Sequence, residues 1–303
     1  MFLLKAWEQL FFMSWYILFF YFTQNLYLCR NIRYIEMLKF VSFGSGSSGN
    51  CYLLSSDEGL LMIDSGVGIR TIKKYSRDYG IKLESLNAIL VTHDHADHVK
   101  SVGAISNENN TPVYATDVVH QGIVRNYCVR KKIDSKNVRK VVPGISFHVG
   151  GFKVTAFEVP HDSSGNVGYR IESGDVTFCL MTDIGHVTED IRHNISVADY
   201  LVIEANHDES MLAQGPYPQY LKERVAGERG HLSNLACAKV VKECASEKLK
   251  HVWLCHLSEE NNHPELLRKT MEEILSEGEH IMGKDFEVDI LKRKMPSGFF
   301  ELK

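Results

Sequence analysis

The run Ala88-Ile89-Leu90-Val91-Thr92-His93-Asp94-His95-Ala96-Asp97-His98 decides the fold. Its first four residues are apolar and end in β-branched side chains, the pattern of a short buried strand. Three histidines and two aspartates follow at once, where the chain leaves that strand. Strand ends and the loops beyond them are where rigid scaffolds hold reactive groups. His93 and His95 flank Asp94, so in extended backbone both imidazoles face the same way, while Asp97 and His98, past the turn, address a second point. Imidazoles and carboxylates packed this tightly need a cation or full pairing to be tolerated. The cluster is read as a seat for two metal ions, one on His93 and His95, the other on Asp97 and His98.

Outward from this stretch the same arrangement recurs. Apolar runs at 60–63, 152–159, 177–182, 200–203 and 251–255 read as strands, and they end at Asp64, Pro160-His161-Asp162, Asp183, Glu204 and His256. Asp64 is expected to hydrogen-bond a ligating histidine from behind and also to cap a helix from about Gly68 to Tyr79. Further helices are expected over 99–106, from Thr116 and Asp117 toward Tyr127, and over 217–227, 234–245 and 265–277. Short strands are expected at 38–43, 51–54, 112–115, 141–142, 145–148, 167–172, 286–291 and 298–302. Strands cluster and helices fall between them. The expected class is α+β, with two mixed sheets face to face and helices outside, in four αββα layers.

The totals are those of an ordinary globular chain: 303 residues, 44% hydrophobic, 24% charged. A net charge of −4 gives no global attraction to nucleic acid, so polyanion binding needs a local basic patch. One block qualifies: Arg125, Arg130, Lys131, Lys132, Lys136, Arg139 and Lys140 against Asp134 alone, read either as a solvated face or as a phosphate-backbone contact. The loop Gly44-Ser45-Gly46-Ser47-Ser48-Gly49-Asn50 lets backbone amides approach an anion, with Ser45, Ser47, Ser48 and Asn50 as candidate substrate contacts, or is a plain hairpin connection. It lacks the P-loop lysine. Seven cysteines without a C-x-x-C pair argue for reduced thiols in the cytoplasm, with no disulfide frame, and Cys179 and Cys255 read as core residues.

Residues 1–36 differ from the rest. The apolar stretch Leu10 to Phe22 is shorter than the roughly 20 residues of a membrane-spanning helix. No small-residue cleavage site follows it. It reads as an extension outside the core, either an over-extended start with initiation at Met37, a membrane anchor or an amphipathic surface helix. The core domain is expected over 37–303.

His93-x-His95-x-Asp97-His98, followed by His161, Asp183 and His256, with Asp64 upstream, resembles the five-motif signature of metallo-β-lactamase-fold hydrolases. Within that superfamily the chain from Met37 onward resembles the YycJ/WalJ (VicX) group. The resembling pieces are Phe43 to Asn50, Pro160-His161-Asp162 with Val167-Gly168-Tyr169, Glu204 to Asp208, Gly230 to Asn234, and His256-Leu257-Ser258. The resemblance implies that His93, His95 and His161 hold one metal, that Asp97, His98 and His256 hold the other, and that Asp183 bridges them. An aspartate stands where lactamases of this fold place a cysteine, which speaks against a β-lactam substrate. An all-nitrogen-and-oxygen ligand set suits two divalent ions, zinc or manganese.

His231, in Gly230-His231-Leu232-Ser233, resembles the histidine that ribonucleases Z and J place over the scissile phosphate; otherwise it is a helix-capping residue. The expected reaction is phosphodiester hydrolysis by a hydroxide bridging the metals, with Asp97 orienting it and His231 protonating the leaving group. The interval from Asp183 to His256 is too short for the inserted domain of the β-CASP nucleases, and no long Gly/Pro-rich arm for tRNA appears. The best fit is a compact nuclease on DNA, and the family resemblance implies a 5′-to-3′ exonuclease; no membrane partner is expected unless residues 1–36 supply one. Alternatives are a thioester or lactone hydrolase on the same core, and a regulatory protein with a mainly structural metal site.

Overall fold

In the computed structural model, which describes residues 38–276 and 281–303, the apolar runs form two seven-stranded sheets. The expectations for residues 1–36, and residue 277 of the last expected helix, lie outside the described residues. The chain first lays down β1 (Leu38–Gly44), β2 (Cys51–Ser55), β3 (Leu60–Ile63), β4 (Ala88–Leu90), β5 (Val113–Ala115) and β6 (Val138–Lys140). It then builds the second sheet from β7 (Ser146–Val149), β8 (Phe152–Glu158), β9 (Val167–Ser173), β10 (Val176–Met181), β11 (Tyr200–Glu204), β12 (His251–Cys255) and β13 (Glu287–Ile290). Finally β14 (Phe300–Leu302) returns to the first, beside β1.

Both sheets follow one plan. The strand order is β14-β1-β2-β3-β4-β5-β6 in one and β13-β12-β11-β10-β9-β8-β7 in the other. β1 to β3 run antiparallel and β3 to β6 parallel. Likewise β7 to β10 run antiparallel and β10 to β13 parallel. Parallel neighbours need crossover connections, and the helices supply them on the outer faces.

Three apolar layers hold this stack together. Between the sheets lie Phe40, Tyr52, Ile63, Tyr169, Phe178 and Trp253. The Phe40 ring is 4.8 Å from that of Trp253 and 5.2 Å from that of Phe178. Burying one side chain such as Phe40 is worth about 1.5–3 kcal/mol. Outside the first sheet, Val41, Leu53 and Ile89 pack with Ile72, Ile105 and Ile123 of the helices Ile69–Asp78, Val102–Asn109 and Asp117–Arg125. Outside the second, Leu201 and Leu254 pack with Ile191, Val241 and Met271 of the helices Glu189–Ser196, Asn234–Cys244 and Pro264–Leu275. The layering is αββα, as the sequence pattern implied.

Three local expectations change. The helix expected over 99–106 is two helices, Ala96–Val99 and Val102–Asn109. Ser101 lies in the gap between them: its N–H donates to Ser65 O at 2.9 Å and its hydroxyl to Val67 O at 2.7 Å. The strand expected at 141–142 sits earlier, at β6, where Arg139 and Lys140 are exposed on a sheet edge, a position that favours charge. Asp64 caps no helix, because Ile69–Asp78 begins after Gly68 without a side-chain cap. Cys179 and Cys255 are buried, and the described cysteines, Cys51, Cys128, Cys179, Cys237, Cys244 and Cys255, are all free thiols. No helix among the described residues is long and apolar enough to cross a membrane.

Candidate metal centre

The parallel halves of both sheets carry their polar residues at the strand ends. Asp64 follows β3, Thr92 and His93 follow β4, Asp183 follows β10, Glu204 ends β11 and His256 follows β12. Three of these ends turn through the left-handed region at a non-glycine residue: Asp64 (φ 56), Asp183 (φ 55) and His256 (φ 55). Such backbone costs about 1–3 kcal/mol per residue and persists where the surroundings over-determine it. Gly66 is needed for a different reason. A Cβ there would overlap the backbone of Asp97 and His98, so only glycine lets the two loops meet.

Three groups of donor atoms converge: His93, His95 and His161; Asp97, His98 and His256; and His93, His98 and Asp183. Asp183 stands between the first two, with Oδ2 3.2 Å from His98 Nε2 and Oδ1 3.5 Å from His161 Nε2 and 3.7 Å from His256 Nε2. Asp97 Oδ2 is 3.4 Å from His256 Nε2 and 3.6 Å from His98 Nε2. The sequence-predicted ligands are thus brought together in the predicted grouping.

The opposite edge of each ring explains its orientation. His98 Nδ1 is 2.7 Å from Asp64 Oδ2, His161 Nδ1 is 2.9 Å from Gly230 O, and His256 Nδ1 is 3.1 Å from Glu204 Oε1. With Nδ1–H donated backward, each Nε2 lone pair faces the centre, the arrangement of metal-binding histidines. His93 completes the pattern. Its Nδ1 is 3.1 Å from Thr92 Oγ1, and its buried Nε2 has no hydrogen-bond partner. A buried, unpaired lone pair among carboxylates fits a cation, so these residues suit a metal pair.

The carboxylates make the centre attract positive charge, supplied by protons on two of the imidazoles where no ion is bound. Burial, which disfavours the charged form, is the largest single influence at each group, and the neighbours decide the outcome. At His98, Asp183, Asp64 and Asp97 outweigh burial and lift the imidazole to about 10. At His256, Asp183, Asp97 and Glu204 also win, to well above the histidine range. Burial pushes His93 well below that range, with positive neighbours such as His98 adding to it, and His161 is lowered too. Despite burial, His256, His98 and His93 hold Asp183 well below the carboxylate range, and His98 and His256 hold Asp97 low.

Glu204, to which the sequence motif alone assigns no role, is a hub of the site. It is fully buried. Its Oε1 accepts from His231 Nδ1 at 2.8 Å and His256 Nδ1 at 3.1 Å. Its Oε2 accepts from Ile184 N at 2.7 Å and Leu232 N at 3.0 Å. Against the cost of burial, His231 and His256 bring its carboxyl down to about 2. Asp183, Glu204, His231 and His256 also form a compact donor group. The Glu204 oxygens are already saturated by four donors, so that group is a hydrogen-bonded network in its own right. The sequence signal was there: an acid directly after the buried apolar run Tyr200–Ile203 must be paired.

His231 is stacked on His256, with ring centroids 5.4 Å apart, and shares its Glu204 oxygen. Its Nδ1 faces inward, to Glu204 and, at 3.6 Å, to Asp183 Oδ1. Its Nε2 has no hydrogen-bond partner among the described residues, and the side chain is 19% exposed. Against burial, Glu204 and then Asp183 raise the imidazole above its ordinary value.

A profile of the beta-lactamase superfamily domain matches residues 61–256, which include every ligand candidate above. The chain is also 34% identical over 250 residues to the exodeoxyribonuclease WalJ of Streptococcus pneumoniae, covering 82% of this chain and 93% of that one. The chain belongs to the beta-lactamase superfamily, in its YycJ/WalJ group. It is likewise 30% identical over 260 residues to the exodeoxyribonuclease YycJ of Bacillus anthracis, covering 86% of this chain and 97% of that one. The superfamily fold is shared with the metallo-beta-lactamase fold protein YhfI of Bacillus subtilis, at a TM-score of 0.64, 18% identity and coverage of 88% of this chain and 99% of that one. Superfamily membership and the site together make the chain a metal-dependent hydrolase.

The candidate substrate contacts divide. Ser45 is buried: its hydroxyl lies 2.9 Å from Tyr52 OH and accepts from His256 N at 2.9 Å. Asn50 is buried too, and its Nδ2 reaches Asp97 O, Asp97 Oδ2 and His98 Nε2. Both position ligand candidates and are enclosed, which corrects their reading as substrate contacts. Ser47 and Ser48 are exposed at the tip of the same loop. Lys132 is corrected as well: its Nζ donates to Ile123 O and Asn126 O, closing the helix Asp117–Arg125. Lys136 donates to Asn110, Arg139 to backbone carbonyls, and Lys140 pairs with Asp117. Arg130 and Lys131 are exposed, and neither has a side-chain partner among the described residues. A cleft of about 630 Å³ opens beside His161, lined among others by Pro160, Asn166, His186 and Arg229.

Proposed function

We propose that this chain is a nuclease that hydrolyses phosphodiester bonds in DNA. His93, His95 and His161 hold one divalent ion, Asp97, His98 and His256 the other, and Asp183 lies between them. The observation that carries the reading is His231, clamped through Nδ1 by Glu204 beside the ion seat, with its Nε2 left unbound among the described residues and its side chain 19% exposed. A hydrolase that only had to activate a water would not need a second, separately oriented imidazole. Phosphodiester cleavage has a use for one, because an alkoxide leaving group must be protonated. The two group relatives, both exodeoxyribonucleases, support DNA as the substrate.

When bound, the ions would polarise a phosphoryl oxygen and make a water acidic enough to act near neutral pH. Asp97 accepts the hydrogen bond that orients the attacking water. His231 donates Nε2–H to the leaving oxygen, and Glu204 keeps the ring in place with Nδ1–H bound. The all-nitrogen-and-oxygen donor set favours zinc or manganese, and the family resemblance favours attack from a 5′ end. Free thiols support a reducing, cytoplasmic setting. The folded domain is assigned to 37–303, and a chain begun at Met37 is expected to keep full activity.

The test is a set of 5′- and 3′-labelled DNA substrates and acyl thioesters, assayed with zinc or manganese, with bound metal measured in each preparation. Wild type is expected to shorten DNA from the 5′ end and to leave thioesters intact. His231→Ala should retain its metal and lose about 10²–10⁴-fold in rate. Thioester turnover exceeding DNA turnover would overturn the reading.

A further inference from the structure

Much of the basic block is accounted for by structure, and what is left clusters at one turn. From Arg125 to Lys132 the sequence carries Arg125, Arg130, Lys131 and Lys132 with no acid between them, in a chain of net charge −4. Lys132 is spent on helix carbonyls. Arg125, Arg130 and Lys131 are exposed and have neither an ion pair nor a side-chain hydrogen bond among the described residues. In their midst stands Tyr127, 91% exposed, with Val124 at 66%.

This turn is tied to the metal loop. Asn126 Nδ2 donates to Asp94 O at 2.7 Å, and Asn126 Oδ1 accepts from Cys128 N at 2.9 Å. Asp94 lies between His93 and His95, so the turn is fixed to the backbone of the ligand loop itself. Gly122, one turn earlier on the helix, presses so closely on the Asp94 carboxylate that a Cβ would overlap it. Lys132 closes the far side by binding Ile123 O and Asn126 O. The other strongly exposed tyrosine among the described residues, Tyr220, has no such setting: nearby Lys222 is bound to Ala213 O and Arg224 to Asp162.

We propose that this turn is a platform for single-stranded DNA, with Tyr127 stacking on an unpaired base and Arg125, Arg130 and Lys131 contacting the flanking phosphates. Free cations around an exposed ring match the chemistry of a single strand, which offers phosphate charge and open base faces together. The tie through Asn126 to Asp94 O sets the held nucleotides in register with the metal loop. The platform rests on the DNA reading above and deepens it.

The test uses the metal-loaded full chain and a fluorescent, phosphorothioate-linked single strand that resists cleavage, titrated by fluorescence anisotropy over a range of salt. Tyr127→Ala is expected to weaken binding about tenfold without changing the salt slope, while Tyr127→Phe and the control Tyr220→Ala stay within about twofold of wild type. Neutralising Arg125, Arg130 and Lys131 to glutamine should lower the slope of log affinity against log salt by about 2, at about 0.7 per lost phosphate contact. Tyr127→Ala binding as wild type would overturn the platform. So would an equal loss on blunt duplex, which has no unpaired base to stack, or much tighter Tyr127-dependent binding of RNA than of DNA. Tyr127-dependent binding by a wild type that cleaves no DNA would sustain the platform and sink the catalytic reading. DNA cleavage by wild type with binding indifferent to Tyr127 would sink the platform alone.

Discussion

Asp64 stands at the end of β3 and Glu204 at the end of β11, one on each sheet, and both are buried carboxylates that accept hydrogen bonds on both oxygens. Asp64 takes Thr92 N at 2.9 Å on Oδ1, and Thr92 Oγ1 at 2.8 Å with His98 Nδ1 at 2.7 Å on Oδ2. Glu204 takes two backbone amides on one oxygen and two imidazoles, His231 and His256, on the other. Both therefore hold a ligand histidine by its rear nitrogen. Only Glu204 holds a second imidazole, His231, whose ring lies beside those of His161 and His256. Under the proposed mechanism the first sheet's carboxylate serves metal binding alone, and the second sheet's couples metal binding to proton donation.

The largest effect should come from breaking the double role. Glu204→Gln removes the charge that orients both imidazoles. The rate on DNA is expected to fall about 10³-fold, combining a loss of about 10–100-fold in metal affinity with the loss of an oriented acid. Unfolding should cost about 3 kcal/mol less, since one partner of a buried charged network is gone. Rates at saturating metal and denaturant titrations read the two effects separately.

Asp64→Asn tests the single role. It should weaken metal binding about 10–100-fold, yet most of the rate should return at saturating metal, because His231 is untouched. If Asp64→Asn stays as inactive as Glu204→Gln under saturation, the two carboxylates do not differ as described.

Chelation comes next. Ions that bind only the folded chain stabilise it by about 4 kcal/mol at a thousandfold excess over the dissociation constant. Stripping them should lower the melting temperature by about 10 °C in a domain this size, measured by scanning calorimetry with and without chelator.

The smallest effect belongs to Thr92→Val, which deletes one hydrogen bond to Asp64 and contacts to His93 and His98. It should cost about 1 kcal/mol in a urea titration and leave the rate defect of His231→Ala unchanged when the two are combined.

The contrast between these two residues also shows what the sequence could reveal. The donors from His93 to His98 were legible because they are contiguous, and His161, Asp183 and His256 because each ends an apolar run. Asp64 was half legible: its bond to a ligand histidine was foreseen, but the cap it was also assigned is absent, because Thr92 and His98 take its oxygens. Glu204 was not legible as a hub, since its role comes from the convergence of β11, the loop at 231–232 and the end of β12 in space. Ser45 and Asn50 were misjudged for the same reason. A glycine–serine loop reads as mobile and open, whereas this one is folded inward, so that Ser45 grips the backbone of His256 and Asn50 that of Asp97. The break at Ser101 likewise depended on a partner loop more than thirty residues away in sequence.

The most direct measurement compares His231→Ala with wild type on two DNA substrates, one with the natural bridging oxygen and one with a bridging sulfur at the scissile bond. Sulfur leaves without needing a proton. If His231, held by Glu204, protonates the leaving group, the variant loses about 10²–10⁴-fold on the oxygen substrate and cleaves the sulfur substrate at close to the wild-type rate. An equal loss on both substrates, with metal content intact, would contradict the proton-donating role and the division of labour between the two carboxylates.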